Sequence, residues 1–360
     1  MEKRILRKPD GRPLILYSRE PIPPVVATSP SNDPPASSTH LRWHPLRGEW
    51  VAYATHRQDR TFLPAAEFNP LAPTTDLSRP TELPAGRYDV AVFENLFPTL
   101  SLSAPEPPPS LVATRSGRGV CEVVVFTQDP TATLGGLPLA HIELLLEVWG
   151  DRYTDLGGRP EVEYVFPFEN RGVEVGVTLN HPHGQIYAYP FVPPIPAREL
   201  AMQEAHWREH GRGLLEVLIE AEDADGRRML YGGDRAVAFL PVCARWAYEV
   251  WIAPRRPAPH LAALDPAERA DFARALKTVL LKFDALWARP FPYVMAFHQA
   301  PTDGREHPEA HLHVELYPAY RKRDRLKYLA GSELGAGVFT ADTLPEEKAL
   351  ELRAVEVTLG

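Results

Sequence analysis

The first hydrophobic pattern that predicts structure covers residues 119–189. A β-branched run at residues 119–127 predicts a strand, and Pro138 begins a segment with apolar residues at helical spacing. Two further runs, at residues 161–166 and 174–189, have the composition of strands. The predicted order is therefore strand, helix, strand, strand, with histidines on the last strand.

The same order of elements recurs in the second half of the chain. Residues 236–242 and 247–253 have the pattern of strands. The tetrapeptide Asp265-Pro-Ala-Glu is a helix start, with a capping residue, a proline in the first turn and a glutamate three residues after the cap. Residues 292–298 and 311–317 predict two more strands, again with histidines on the last one.

These two units indicate an internal duplication. The distance from the helix-opening proline to the first histidine of the closing strand is similar in both, from Pro138 to His181 and from Pro266 to His311. Short connections between the strands favour antiparallel pairing. We therefore predict an α+β fold of two related half-barrels of antiparallel strands with flanking helices.

The remaining segments divide the chain into three parts. The first 40 residues, 1–40, are polar and rich in proline, which predicts an N-terminal extension that is partly ordered at most. Residues 41–195 and 196–360 would hold one unit each. Residues 42–53 predict a turn followed by a strand, and helical periodicity at 197–223 predicts a helix near the start of the second unit.

Composition and charge restrict the classes of function. No apolar run approaches the roughly 20 residues that cross a bilayer, and the N-terminus lacks the apolar core of a secretory signal. Cys121 and Cys243 do not make a disulfide framework. A formal charge of −8 argues against a nucleic-acid partner and fits a local site for a small anion. We expect a cytoplasmic protein with no membrane or nucleic-acid partner.

The segment Asn180-His-Pro-His-Gly-Gln has the residue types needed for attack on phosphorus. Residues two apart in a strand point to the same face, so His181, His183 and Gln185 would lie side by side. An imidazole attacks phosphorus when a neighbour keeps its other nitrogen protonated, and a glutamine can donate to a phosphoryl oxygen. Gly184 would let a ligand approach the backbone. The alternative interpretation is a solvated strand or a structural metal site.

The His-Pro-His-Gly-Gln motif resembles the signature of galactose-1-phosphate uridylyltransferases, a branch of the histidine-triad superfamily. The resemblance extends over about residues 42–335, in the order expected of the family, and implies a duplicated unit of two histidine-triad-like half-barrels. The other matching blocks are Arg42-Trp-His-Pro-Leu-Arg-Gly-Glu-Trp-Val, His56-Arg-Gln-Asp-Arg, Val92-Phe-Glu-Asn-Leu-Phe, Phe168-Glu-Asn-Arg-Gly, Phe291-Pro-Tyr-Val-Met-Ala-Phe-His and Lys327-Tyr-Leu-Ala-Gly-Ser-Glu.

The resemblance implies a double-displacement transfer of UMP. His183 would attack the α-phosphorus of UDP-glucose and release glucose-1-phosphate, and the uridylyl group would then pass to galactose-1-phosphate to give UDP-galactose. His181 and Gln185 complete the implied catalytic group, with Gln185 steadying the oxyanion. The implied substrate-binding residues are Arg57, Arg60, Phe93, Asn95, Phe97, Asn170, Thr178, Lys327, Tyr328 and Glu333.

Each implied binding residue has a place along the substrates. The two arginines would neutralise phosphate charge, and the residues at 93–97 would hold the uridine. Asn170 and Thr178 would contact phosphate, and Thr178 keeps the hydroxyl of the serine that the family usually has. The 327–333 segment would bind the sugar phosphate in the partner subunit's site, which implies a homodimer. Phe339 falls where a polar sugar contact is expected.

The resemblance also implies one structural metal site and the absence of another. The ligands of the first would be Glu199, His298, His313 and Glu315, with His311 as an alternative, and this set suits zinc or iron(II). A hydrogen-bonded histidine cluster is the alternative interpretation. The family's cysteine-based zinc site cannot be completed, because its Cys-x-x-Cys pair is replaced by Asn69-Pro-Leu-Ala and its histidine by Pro130.

Two other functions are compatible with the sequence. A nucleotidyl phosphorylase acting on ADP-glucose or a dinucleoside polyphosphate would use the same scaffold. A non-catalytic nucleotide-binding protein would bind its ligand without forming a covalent adduct. A hydrolase is disfavoured, because relatives that release the nucleotide to water tend to have a third histidine where Gln185 stands.

Overall fold

The structure, a computed structural model, describes residues 1–35, 37–59 and 68–360. Its strands are β1 (Glu2–Arg7), β2 (Pro13–Ser18), β3 (His40–His44), β4 (Glu49–Tyr53), β5 (Val90–Glu94), β6 (Thr114–Ser116), β7 (Val120–Val125), β8 (Tyr164–Arg171), β9 (His183–Tyr189), β10 (Met229–Gly232), β11 (Ala236–Phe239), β12 (Val250–Pro254), β13 (Tyr293–His298), β14 (His313–Pro318), β15 (Tyr320–Lys322) and β16 (Arg325–Leu326). The α-helices are α1 (Leu139–Gly157), α2 (Pro194–His210), α3 (Leu214–Asp225), α4 (Pro266–Leu286) and α5 (Pro345–Arg353).

Eleven of the strands form one antiparallel sheet, in the order β1-β2-β5-β7-β9-β8-β13-β14-β12-β11-β10. The order of β5, β7, β9 and β8 mirrors that of β11, β12, β14 and β13, and each set has one long helix, α1 or α4, between its second and third strands along the chain. The α+β class and the duplicated unit are therefore confirmed. The two units are continuous, because β8 pairs with β13 at the centre of the sheet.

One face of the sheet is covered by helices and forms the main core. α1 packs against α4, and the apolar residues of both helices share a buried cluster with Val92, Val124, Ile186 and Val314 of the strands. Because side chains alternate along a strand, the residues between these positions point to the opposite face. The histidines of both units, His183 and His313, lie on that opposite face.

Several predicted helix boundaries follow from local chemistry. Asp265 accepts a hydrogen bond from the Glu268 backbone N–H while the Glu268 side chain reaches back, so the predicted capping box at the start of α4 is confirmed. The single helix predicted at 197–223 is wrong. Two helices, α2 and α3, occur there because Gly211 adopts a left-handed conformation (φ 67°) and ends α2.

The expectation that the first 40 residues are partly ordered at most is wrong. β1 and β2 form a hairpin, and β2 pairs with β5, so that Leu14 lies opposite Phe93. Leu14 and Leu16 are fully buried in a second apolar cluster, although the segment is polar on average. None of the helices within the described residues combines the length and apolar composition that a bilayer crossing requires.

The N-terminal hairpin predicts a clear effect on stability. Leu14→Ala should lower the free energy of unfolding by about 2–5 kcal/mol, because it removes buried methyl groups and leaves a cavity. Ile5→Ala on the neighbouring strand is the matched control, since Ile5 is 67% exposed, and should change stability by about 0.5 kcal/mol or less. Urea unfolding of both variants makes the measurement, and equal stabilities would contradict the position of β2 in the core.

Candidate active site and metal group

The candidate nucleophile lies at the start of β9. His183, Gln185 and Tyr187 point away from the helix-covered face, whereas Ile186 and Ala188 belong to the main core. The predicted strand at 174–189 is shorter than expected, because Val173–Val175 form a turn of 3-10 helix and β9 begins only at His183.

Gly184 is required for packing and not for ligand approach. A Cβ at this position would lie 2.9 Å from the Phe168 carbonyl oxygen and 2.9 Å from the Phe126 ring, on the side of the sheet away from the cavity. The expectation that its small size admits a ligand is therefore wrong. The glycine lets β8 and the Phe126 ring pack closely against β9 and so helps to fix the strand that carries His183.

The ring of His183 is held by one backbone hydrogen bond. Its Nδ1 lies 2.7 Å from the carbonyl oxygen of His181, and because a carbonyl oxygen only accepts, Nδ1–H is the donor. The other nitrogen, Nε2, then carries a lone pair. Burial lowers the pKa of His183, so the neutral form with a free lone pair is favoured at neutral pH.

His181 precedes β9, which begins at His183, and both histidines are among the residues that line a neighbouring cavity. The ring of His181 is buried before the start of β9, with Nε2 2.7 Å from the Thr127 carbonyl oxygen and Nδ1 2.9 Å from the Asn69 side-chain nitrogen. The sequence alone does not predict a role for Asn69, which lies 112 positions before His181. A contact between positions so far apart cannot be predicted from local sequence patterns.

A cavity of about 300 Å³ opens over this face of the sheet, a size within reach of a small-molecule site. It brings together eight of the predicted site residues. These are Arg57, Phe93, Asn95, Phe97, Asn170, Thr178, His183 and Gln185. Further lining residues that sequence reasoning missed include Phe68, Leu71, Val123, Phe168, Val177, Leu179 and Tyr187.

The position of Arg57 depends on a turn at residues 95–97. The guanidinium donates to the Phe97 carbonyl oxygen over 2.7 Å, and the Phe97 N–H donates to the Asn95 side-chain oxygen over 2.8 Å. Asn95 itself is tied to β7, because its N–H donates to the Cys121 carbonyl oxygen over 2.8 Å. The arginine is therefore held at the cavity by a chain of hydrogen bonds that begins in the sheet.

The other predicted substrate-binding residues are Arg60, Lys327, Tyr328 and Glu333. Arg60 is outside the described residues. Lys327, Tyr328 and Glu333 are not among the residues that line the cavity. The Lys327 ammonium donates to the Thr340 carbonyl oxygen over 2.7 Å and lies 3.3 Å from Glu333, so the segment is folded upon itself.

A second group of polar side chains lies on the same face in the other unit. One ligand atom from each of Glu199, His298 and His313 lies within 4.8 Å of the others. The His313 Nδ1 is 3.0 Å from the His311 carbonyl oxygen, which leaves its Nε2 free to bind a metal. The Nε2 of His298 is buried and has no hydrogen-bond partner among the described residues. Two such nitrogens beside a carboxylate fit a divalent transition metal.

The two candidates for completing this group differ in their surroundings. The Glu315 carboxylate lies 3.8 Å from the Nε2 of both His298 and His313, and it also pairs with Arg245 at 3.0 Å. The His311 Nε2 is instead 2.8 Å from the Pro254 carbonyl oxygen, and His311 is not part of the three-residue group. Glu315 is not part of the three-residue group either, and the buried His311 Nδ1 has no hydrogen-bond partner among the described residues, so both stay candidates for the fourth ligand.

The sequence matches one family along most of its length. Residues 31–193 match the family described as galactose-1-phosphate uridyl transferase, N-terminal domain, and residues 199–358 match its C-terminal domain. The chain belongs to this family.

Individual relatives agree with that membership. A galactose-1-phosphate uridylyltransferase of Thermotoga maritima is 39% identical over 327 residues, which is 89% of this chain and 99% of the relative. The Streptomyces lividans protein of the same name is 36% identical over 376 residues, covering 99% and 98% of the two chains. A solved structure of a uridylyltransferase superposes with a TM-score of 0.78 at 34% identity, over 88% of this chain and 97% of that one.

Glu169 is a buried carboxyl group next to the candidate site that sequence reasoning missed. It lies in β8 between Phe168 and Asn170, and the Tyr293 hydroxyl donates to it over 2.9 Å. Burial raises the pKa of Glu169 to about 7, above the ordinary value of an exposed glutamate. Because the folded protein holds this proton more tightly than the unfolded chain, its contribution to stability is lost as the pH rises from about 4.5 through 7.

Glu169→Gln should therefore remove part of the pH dependence of stability. The free energy of unfolding of the variant minus that of the wild type should rise by up to about 3 kcal/mol from pH 5 to pH 8. The reason is that the amide never ionises, whereas the wild type loses stability as Glu169 ionises. Urea unfolding at the two pH values makes the measurement, with the exposed Glu163→Gln as control. If the difference in free energy of unfolding between the variant and the wild type does not change with pH, Glu169 is ionised across this range.

Proposed function

We propose that this protein transfers UMP from UDP-glucose to galactose-1-phosphate, giving UDP-galactose and glucose-1-phosphate, through a uridylyl intermediate on His183. The observation that carries the proposal is the His183 imidazole at the cavity, with Nδ1–H bound to the His181 carbonyl oxygen at 2.7 Å. This arrangement makes Nε2 the nucleophile. Membership of the family supports the choice of substrates.

The first half of the reaction replaces a phosphate leaving group by the imidazole. The Nε2 lone pair attacks the α-phosphorus of UDP-glucose, the bond from this phosphorus to the bridging oxygen breaks, and glucose-1-phosphate leaves with that oxygen. The ring then gains positive charge, which the Nδ1–H···O=C bond to His181 stabilises. In the second half, a phosphate oxygen of galactose-1-phosphate attacks the same phosphorus and Nε2 leaves as neutral imidazole.

The surrounding side chains provide charge and hydrogen bonds for these steps. Gln185 points into the same cavity as His183 and would donate its amide to a non-bridging oxygen. Arg57 supplies a positive charge against the phosphates, and Asn170 and Thr178 supply further polar contacts. Arg60 and a catalytic role for His181 remain part of the proposal, with His181 acting through its backbone carbonyl.

The apolar part of the cavity suits the uridine. Phe93 and Phe97 line it together with Asn95, whose amide can read the edge of the base. The Lys8 ammonium lies 4.5 Å from the centre of the Phe93 ring and pairs with the buried Glu82, so the N-terminal hairpin supports this wall. Phe93, Asn95 and Phe97 could hold either a uracil or an adenine base. The experiment with two nucleotide-sugar donors, described below, distinguishes these bases.

A homodimer is part of the proposal, and the 327–333 segment is its sugar-phosphate site. Large apolar side chains are exposed around this segment, with Tyr328 at 76%, Leu334 at 62% and Val338 at 60% exposure. Such a patch is typical of a protein–protein contact. Lys327, Tyr328 and Glu333 would then reach the cavity of the partner subunit and hold galactose-1-phosphate.

The group of Glu199, His298 and His313 would hold one structural zinc or iron ion, with Glu315 as the fourth ligand. The ion would order α2 against β13 and β14, because its ligands come from these three elements. It would not touch the reacting phosphorus, since none of its ligands lines the cavity at His183. A cytoplasmic location is consistent with two free cysteines, Cys121 and Cys243.

The intact mass of the protein after mixing with UDP-glucose tests the proposed function. The wild type should gain the mass of one UMP and release glucose-1-phosphate, whereas His183→Gly, which lacks the nucleophile, should gain none. ADP-glucose in a parallel sample tests the phosphorylase alternative. An adduct with ADP-glucose alone would contradict the uridylyl assignment, and binding of either donor without an adduct would support a non-catalytic nucleotide-binding protein.

The metal proposal predicts that a substitution in the metal group abolishes metal binding without abolishing formation of the uridylyl adduct. His313→Ala should reduce the bound zinc or iron from about one per chain to near zero and lower thermal stability, because it removes a ligand from the group. The variant should still form the uridylyl adduct, because His183 is unchanged. Elemental analysis by mass spectrometry makes the measurement, with exposed His210→Ala as control. Equal metal content in both variants would contradict the assigned ligands.

A further inference from the structure

We propose that Asn69 is a positioning residue for the nucleophile, acting through the ring of His181. The side-chain nitrogen of Asn69 lies 2.9 Å from His181 Nδ1, and the His181 backbone carbonyl oxygen lies 2.7 Å from His183 Nδ1. Asn69 is not among the residues that line the cavity. The inference rests on the proposed function, in which His183 is the nucleophile.

The hydrogen bonds around His181 define one tautomer. Its Nε2 faces the Thr127 carbonyl oxygen at 2.7 Å and must therefore donate, which makes Nδ1 the acceptor in the neutral ring. The Asn69 amide can donate to that acceptor with its N–H₂ group. Both ring nitrogens are thus satisfied, and burial lowers the pKa of His181, which favours the same neutral form.

Asn69 is itself held on a defined backbone. Its side-chain oxygen accepts from the Leu71 N–H over 3.0 Å, and its backbone oxygen accepts from the Ala72 N–H over 3.1 Å. Leu71 is almost fully buried in the second apolar cluster. With its oxygen occupied in this way, the amide presents its nitrogen, and not its oxygen, to His181.

The second unit provides an internal comparison. His311 and His313 repeat the arrangement, with the His311 Nε2 at the Pro254 carbonyl oxygen (2.8 Å) and the His313 Nδ1 at the His311 carbonyl oxygen (3.0 Å). The His311 Nδ1, however, is buried and has no hydrogen-bond partner among the described residues. Among the residues that the structure describes, a donor to this Nδ1 is therefore found in the unit that carries the proposed nucleophile and not in the other unit.

Anchoring both nitrogens of His181 restricts rotation of its ring and movement of its backbone. The carbonyl oxygen that sets the direction of the His183 ring belongs to that backbone. Small displacements of a reacting group lower the rate of a chemical step much more than they lower substrate binding. Loss of the Asn69 bond should therefore slow attack by Nε2 and leave binding of UDP-glucose largely unchanged.

Two substitutions of Asn69 separate positioning from simple packing. Asn69→Ala removes the donor. Asn69→Asp keeps the shape but replaces the donor by an acceptor, so His181 Nδ1 would have to carry a proton and the ring would become an imidazolium beside the new carboxylate. Asp129 is the other charged group near this ring and is unchanged in both variants. Asn32→Ala, at an exposed position, is the matched control.

The measurements are the rate of UMP transfer to the enzyme from UDP-glucose, the KM for UDP-glucose, and ¹⁵N NMR of the histidines in the substrate-free protein. We expect Asn69→Ala to lower the rate of adduct formation by about 10- to 100-fold, with KM within about twofold of the wild type. The His181 ring should have one protonated nitrogen in the wild type and two in Asn69→Asp at pH 7–8. Asn32→Ala should match the wild type throughout.

The possible outcomes decide between the inference and the proposed function. Adduct formation at the wild-type rate in Asn69→Ala, with a neutral His181 in Asn69→Asp, would overturn the role of Asn69. If Asn69→Ala does not fold, Asn69→Asp alone decides through its NMR signals and its rate. A wild type that forms no adduct would overturn the proposed function and the positioning role with it, and the substrate-free NMR would still show whether Asn69 sets the His181 tautomer.

Discussion

The chemistry assigned to this protein depends on the hydrogen bond from His183 Nδ1–H to the carbonyl oxygen of His181, 2.7 Å long. It fixes the tautomer of the ring and aims Nε2 at the cavity, and in the proposed reaction it would stabilise the charge that the ring gains when Nε2 bonds to phosphorus. The bond holds its direction because the atoms on both sides of it are fixed. His183 begins β9, between β7 and β8, and the ring of His181 is anchored by Thr127 and Asn69.

The same backbone arrangement occurs twice, with different uses. In the first unit, His183 faces an apolar cavity beside Gln185, an amide that can donate to a phosphoryl oxygen. In the second unit, His313 faces His298 and the Glu199 carboxylate, beside Glu315. In our proposal, a neutral imidazole with one lone pair serves as a nucleophile in the first setting and as a metal ligand in the second. The difference therefore comes from the neighbouring side chains and not from the histidine itself.

Much of this arrangement was predictable from local patterns. Strong periodicity and the Asp265 capping box predicted the duplicated order of strands and helices, and the resemblance predicted which distant segments meet at the cavity. The N-terminal hairpin was missed because its alternating apolar residues, such as Leu14 and Leu16, are diluted by charged neighbours. Lys8 and Arg12, which look like surface residues in the sequence, are buried in ion pairs with Glu82.

The finer details of the site were not predictable, because they depend on long-range contacts. The start of β9 at His183, and not before His181, changes which side chains share the cavity, and strand composition does not determine that boundary. Asn69 reaches His181 across 112 positions of the sequence. The direction of each imidazole depends on a hydrogen bond to a backbone carbonyl oxygen, and a sequence motif does not indicate where that oxygen points.

The most direct test of the account is the position of the uridylyl group on the histidine ring. The wild-type protein, labelled with ¹⁵N in its histidines, would be mixed with UDP-glucose, and the ³¹P–¹⁵N coupling of the adduct would be measured together with the modified residue by peptide mass spectrometry. We expect phosphorus on Nε2 of His183, with Nδ1 still protonated. Phosphorus on Nδ1, or on another residue, would contradict it.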